Sequence, residues 1–376
     1  MTDRVSWEQA LAWRMRRQYL LEPVPASDPV KVVHRLGGLH AQVLSSVELA
    51  LWARTDGLTR EAVEDALWRQ RTLVKLWAMR GTLHVLPAAD LGHWIAGLGT
   101  YESGWLWEPT MLELADLIGE ALRGRQLTRA ELGAAVARLS GSAGDAEALQ
   151  GSWGGSLKPA SFRGRLCFAP SQGQLVRFTN PATWLPSAPD TVDPAEALAT
   201  ITRRFLGAYG PAAAVDLGCW WGVNGRQAKR LLAPLGDAVT EVDVDGEPRW
   251  MLTEHVAGLA ATAPVEGVVR LLPGFDQWVV CSARRDRGGS RPGPGLPALD
   301  PAFRTRIYRL QGWVSPVVLV DGRIEGVWKH QRKGRKLHVE VAPFGKLPKR
   351  THRLLEAEAE RLAAYFGGEL TLSTVA

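Results

Sequence analysis

Apolar positions in the first 70 residues recur at helical spacing, then the period shortens. Ser6-Trp7-Glu8-Gln9 has the form of a capping box, and Ala10, Leu11, Met15 and Leu20 follow as a stripe that ends before Pro23. A second helix is expected from about Asp28 to the Gly37-Gly38 pair, a third over 47–54, and a fourth over 60–69 capped by Thr59. The runs 73–79 and 82–86 then read as two short strands joined near Arg80-Gly81. Helices followed by a hairpin is the element order of a winged helix.

The order returns twice. Residues 111–124 are helical in pattern, Thr128 to Glu131 forms another capping box, and a hairpin is expected from 166–168 and 174–178, turning at Ser171-Gln172-Gly173. The third cycle has helices at 194–209, 211–220 and 226–235, then strands 239–244 and 248–252 around Asp245-Gly246. The last third differs. Strands are expected at 268–272, 278–280, 316–320, 323–329 and 336–341, then a helix over 349–365 and a strand over 369–372; 282–300, rich in Arg, Gly and Pro, reads as a loop. The pattern therefore predicts an α+β fold of three tandem winged-helix units, 1–87, 88–190 and 191–262, with a β-rich subdomain over 263–376.

Composition narrows the partners. With 46% apolar and 22% charged residues the chain is an ordinary folded protein, and its 16 Trp are expected mostly in the core, the Trp220-Trp221 pair included. Lys plus Arg exceed Asp plus Glu by 45 to 39, a mild excess whose placement matters more than its size. Cys167, Cys219 and Cys281 lie far apart without a CxxC pair, so neither a disulfide framework, a zinc site nor any other cofactor site is expected. A charged N-terminus and the lack of an 18-residue apolar run point to a cytoplasmic protein with no membrane partner.

Positive charge does concentrate in one place. Lys329 to Arg353 holds nine Lys or Arg and one acid, Glu340. Within it Lys329, His330, Gln331, Arg332, Lys333, Arg335 and Lys336 sit where two strands should turn, which suits phosphate neutralisation and entry into a DNA groove. The plainer reading of such a run is a solvated turn. Arg80 and His84 flank the first wing, where phosphate contact and a role in hairpin conformation are equally good readings. Asp276 is set aside as a turn cap after a strand rather than a catalytic carboxylate.

Segments spread over nearly the whole chain resemble the winged-helix DNA glycosylases of the AlkZ/YcaQ type: GLHAQVLSSVELALWAR (38–54), LVKLWAMRGTLHVL (73–86), GRLCFAPSQGQLVRF (164–178), RRFLGAYGPAAAVDLGCWWG (203–222), LLPGFDQWV (271–279) and SPVVLVDGRIEGVWK (315–329). The resemblance implies three winged helices in a C shape around a DNA channel. It also implies excision of bulky N7-alkylated purines, interstrand crosslinks included, from double-stranded DNA. The family's catalytic Gln-x-Gln or Gln-x-Asp motif aligns with His40-Ala41-Gln42, so Gln42 carries over and His40 departs from the pattern.

An N7-alkylated guanine is already cationic and leaves readily, so the enzyme chiefly needs to hold a water and stabilise an oxocarbenium-like sugar. Gln42 is expected to position that water, and His40 to accept its proton or to position it as well. Residues two apart on a regular helix point about 200° apart, so the pair can converge only if Gly37-Gly38 ends or kinks the helix. No Lys stands out as a Schiff-base nucleophile, which favours a monofunctional hydrolase over a lyase. The alternative is a non-catalytic winged-helix regulator. It would usually dimerise, and no heptad is visible, so a monomer is expected.

Overall fold

The computed structural model describes residues 4–102, 104–151, 154–280 and 298–375. The fold is α+β and divides into two compact units: 1–62 with 203–376, and 63–202. Most of the expected 282–300 loop lies outside the described residues.

Helix α1 (Trp7–Arg17) starts at the expected capping box, in which Ser6 Oγ accepts from the Gln9 N–H and the Gln9 side chain accepts from the Ser6 N–H. Helix α2 (Pro29–Leu36) has Pro at its first turn and Asp28 as its cap, accepting from Lys31 N at 3.1 Å. It ends on Gly37 in the left-handed region, φ 65°. A two-residue strand β1 (Leu39–His40) follows, then α3 (Leu44–Trp52) and the short α4 (Arg60–Glu64).

In the unit 63–202, β2 (Leu73–Trp77) and β3 (Leu83–Pro87) form an antiparallel hairpin with Trp77 opposite Leu83. Helices α5 (Leu91–Leu98) and α6 (Pro109–Ala121) follow, then the short strand β4 (Leu127–Thr128) and α7 (Arg129–Ser140). The second hairpin, β5 (Cys167–Gln172) and β6 (Leu175–Thr179), takes β4 as third strand in the order β4-β6-β5. Its turn is Gly173-Gln174, since Gln172 already pairs with Leu175. That is slightly beyond the expected Ser171-Gln172-Gly173. Trp77, Phe168 and Phe178 pack together with centroids 4.9 to 6.1 Å apart, and Ser161 Oγ bridges both the N–H and C=O of Trp77 at 3.0 Å.

The chain continues through α8 (Pro194–Tyr209), α9 (Ala214–Trp221) and α10 (Gly225–Leu232) to the hairpin β7 (Val239–Val244) and β8 (Glu247–Leu252). Here a bridge from Ala212 to Trp250 takes the role that β4 has for the second hairpin. Trp220 and Trp221 are buried, as expected of core residues. The Asp245-Gly246 turn is as expected too, with φ of 50° and 86°.

The C-terminal part is a five-stranded sheet in linear order: β9 (Val269–Leu272), β10 (Val317–Val320), β11 (Arg323–Lys333), β12 (Lys336–Pro343) and β13 (Glu369–Thr374). All pairs are antiparallel except β12 with β13, which are joined through helix α11 (Lys349–Tyr365). Leu355, Ala359 and Leu362 give that helix its buried face, and it packs on β9. Glu358 accepts from Leu271 N at 3.2 Å and from Arg361, whose guanidinium lies 3.9 Å from the Trp52 ring and donates to Trp52 O. The last helix thereby grips both β9 and the end of α3. Residues 278–280, expected as a strand, are instead part of a short helical turn, Gln277–Val280. Asp276 starts it by accepting from Trp278 N at 2.9 Å.

Candidate active site

The site begins where α2 stops. Gly37 and Gly38 both have positive φ, 65° and 100°, a combination only glycine adopts without strain. Their N–H groups close the helix onto His34 O and Val33 O, and Tyr209 donates its hydroxyl to Leu36 O at 2.8 Å. The chain then leaves as extended backbone rather than as a kinked helix. His40 lies at the end of this two-residue strand and Gln42 in the bend after it, so the pair is not on a helix and the 200° separation of a regular helix does not apply. Ala41, between them, is fully buried; Gln42 is exposed in the bend before α3.

His40 is buried by a ring. It stacks on Phe275 with centroids 4.7 Å apart and planes 9° from parallel, and Trp313 in turn meets Phe275 edge-on with centroids 5.1 Å apart. Phe275 itself has φ 62°, an unusual conformation for an aromatic residue. The adjacent Asp276 makes two 2.7 Å hydrogen bonds to the Nη1 and Nη2 atoms of Arg54, both side chains being wholly inaccessible. Gln277 donates to Gly38 O at 3.0 Å. Thus one loop, Phe275-Asp276-Gln277, stacks on His40, is bolted through Arg54 to the end of α3, and is tied to the glycine turn that starts the motif.

Asp276 is accordingly structural. Its Oδ1 accepts from Arg54 and Trp278 and its Oδ2 from Arg54, which commits it to holding the loop. Arg54, Phe275 and Gln277 were not singled out by sequence reasoning, although the LLPGFDQ block that contains two of them was visible. The missing signal was their pairing partner, more than two hundred residues away.

The basic hairpin is longer than expected. Strand β11 continues through Lys333, Lys333 pairs with Lys336, and only Gly334 and Arg335 form the turn. Gln331, Arg332, Lys333, Arg335 and Lys336 are exposed there. Lys329 is already paired with Glu340 at 2.8 Å. His330 packs between Trp328 and Phe366, and burial lowers its pKa below the ordinary 6.5. These two belong to the hairpin's stem rather than its tip.

Arg80 and His84 belong to the other unit. His84 is fully buried, with Nδ1 3.0 Å from Thr82 O and Nε2 3.1 Å from Arg80 Nη2. The carbonyl requires the proton on Nδ1, so Nε2 accepts from Arg80. Of the two readings left open for His84, phosphate contact and a role in hairpin conformation, this burial supports the second. Its part is to hold Arg80, which has φ 60° at the hairpin turn.

No group of His, Cys, Asp and Glu able to hold a metal ion occurs among the described residues. Nor is any helix among them long and apolar enough to cross a membrane. A glycine turn leading to an imidazole stacked on a braced aromatic, an exposed amide two residues on and cationic hairpins elsewhere suit an enzyme that acts on DNA. The chain belongs to the AlkZ-like DNA glycosylase family, which it matches over residues 33–365. It is 36% identical to an interstrand DNA cross-link repair glycosylase of Streptomyces sahachiroi, over 97% of each chain. The solved structure of Streptomyces sahachiroi DNA glycosylase AlkZ superposes with a TM-score of 0.85 and 35% identity, covering 99% of this chain and 100% of that one. The chain is therefore a DNA glycosylase, a hydrolase of DNA repair, and the reading as a non-catalytic regulator is not favoured.

Proposed function

We propose that this glycosylase hydrolyses the N-glycosidic bond of bulky N7-alkylated purines in double-stranded DNA, interstrand crosslinks included. The observation that carries the reading is the division of labour around His40. The carboxylate beside Phe275 is spent on Arg54, and the residues left to act are an imidazole and an amide. A cationic N7-alkylpurine leaves without being protonated, so the chemistry asks of these two groups only that they hold and deprotonate water. Gln42 orients the attacking water through its amide oxygen. His40, held flat by Phe275, accepts the proton or fixes the water from a second side. With no Lys in this role, the reaction ends at an abasic site, as in a monofunctional enzyme.

Three winged helices scaffold this chemistry in our reading. The order helices, short strand, helices, hairpin recurs from α2 to β3, from α6 to β6 and from α8 to β8, with Ala212 as the short strand in the last. Gln331, Arg332, Lys333, Arg335 and Lys336 on the basic hairpin, with Arg80 on the first wing, contact phosphates; Lys329, His330 and His84 support them. The enzyme works as a cytoplasmic monomer, in repair or in self-resistance to an alkylating natural product. The repair of crosslinks by its relative supports the substrate class.

The test is an excision assay on duplexes carrying N7-methylguanine, a bulky N7 adduct or a crosslink. Release is expected from the bulky substrates, and its loss in Gln42→Ala with DNA binding retained. Full turnover by that variant would overturn the site; release of N7-methylguanine alone would overturn the substrate class.

A further inference from the structure

Leu310 is 89% exposed, far more than any other large apolar side chain among the described residues. A single exposed leucine ordinarily means nothing. This one sits at the tip of a tight turn whose other apolar member, Trp313, is 46% exposed and closes the aromatic column Trp313–Phe275–His40. Three residues span at most about 10 Å, so the tip lies within roughly three base steps of that column's outer end.

The turn has a firm base. Tyr308 bridges Val314, Arg309 N donates to Trp313 O at 2.9 Å, and Ser315 N donates to Ile307 O at 2.9 Å. The Tyr308 hydroxyl donates to Val279 O at 2.7 Å, fixing the turn to the segment that follows Gln277. At the tip Gln311 and Gly312 have φ of 61° and 76°, which reverses the chain beside the exposed Leu310. Arg309 is exposed on this turn, and Arg306 is exposed on the short helix Arg304–Ile307 that leads into it, its guanidinium 4.9 Å from the centroid of the Phe344 ring. A rigid apolar tip flanked by cations and continuous with the catalytic column matches one surface: a base stack between two lines of phosphates.

We propose that Leu310 is a wedge, entering the stack beside the adduct while Arg306 and Arg309 hold the neighbouring phosphates. Unstacking at that step opens the way for His40 and Gln42 to the sugar of the lesion. The inference rests on the glycosylase activity and adds a DNA-distorting residue to it.

The experiment uses the full chain with duplexes that carry the bulky N7 adduct and 2-aminopurine at the neighbouring step. Wild type and Leu310→Met are expected to raise the 2-aminopurine fluorescence on binding, and Leu310→Ser is expected not to. Single-turnover excision by Leu310→Ser should fall at least about tenfold, as expected for losing an unstacking residue, and recover when the opposing base is omitted and the step is already open. Wild-type fluorescence and rate in Leu310→Ser would overturn the proposal, as would an equal slowing on the duplex that lacks the opposing base. Unstacking by wild type without release of base would leave the wedge standing and count against the proposed substrate instead.

Discussion

Arg54 and Asp276 meet through two 2.7 Å hydrogen bonds with no solvent access to either side chain. Removing one member strands a buried charge, so Asp276→Asn or Arg54→Met should cost roughly 3–5 kcal/mol of unfolding free energy. Replacing both with apolar residues should recover much of that stability but release the Phe275 loop. Urea denaturation and excision rates of the three variants should therefore separate: the double variant folds well and works poorly. Normal activity in a stable double variant would show that the loop does not govern the site.

Phe275→Leu should keep the apolar filling beside His40 but remove the parallel ring. The imidazole would lose its fixed plane, and kcat on a bulky substrate should drop about tenfold to a hundredfold with DNA affinity little changed. His40→Gln restores the family's more usual residue and should retain more activity than His40→Ala. Equal rates for wild type and His40→Ala would remove His40 from the chemistry.

On the basic hairpin, replacing Lys333, Arg335 and Lys336 by Ala should reduce the slope of log K against log salt by about 0.9 for each phosphate that is no longer neutralised. Lys329→Ala should change it less, because Lys329 is engaged with Glu340. Titrations at several salt concentrations read this directly. A Lys329 effect as large as that of the tip residues would count against the stem and tip assignment.

In the other unit, Arg80→Ala and His84→Leu should weaken DNA binding alike, since the buried imidazole holds the guanidinium it does not replace. The double variant should be no worse than Arg80→Ala. Additive losses, measured by the same binding titrations, would mean that His84 acts separately.

His330 gives a pH dependence with a defined sign. Burial lowers its folded pKa, so below about pH 6.5 the unfolded chain takes up a proton before the folded one does. This contribution to stability is complete above that pH and is lost as pH falls through the folded value. His330→Phe should therefore gain on wild type between pH 7 and pH 5, as measured by chemical denaturation across that range. A constant difference would contradict the burial of the ring.

The sequence was most legible where local rules coincided. Helices 194–209 and 349–365 have the expected ends because a long apolar period met a clear start, and Asp245-Gly246 could only be a tight turn. Residues 278–280 failed because a short apolar run reads equally as strand or helix, and Asp276, a helix-starting residue just upstream, decided it. The His-x-Gln motif was visible, but its brace was not. A turn cap and a buried ion pair look identical in sequence when the partner is Arg54.

The unit that carries this motif is built from both ends of the chain, 1–62 and 203–376. Asp276 must find Arg54 across 222 residues, and Gln277 must find Gly38 across 239. Phe275, Asp276 and Gln277 come after the intervening residues 63–202 in the chain, so the glycine turn and His40 are made more than two hundred residues ahead of the loop that braces them. A chain that ends before Phe275 thus carries both His40 and Gln42 but lacks the ring that stacks on the imidazole.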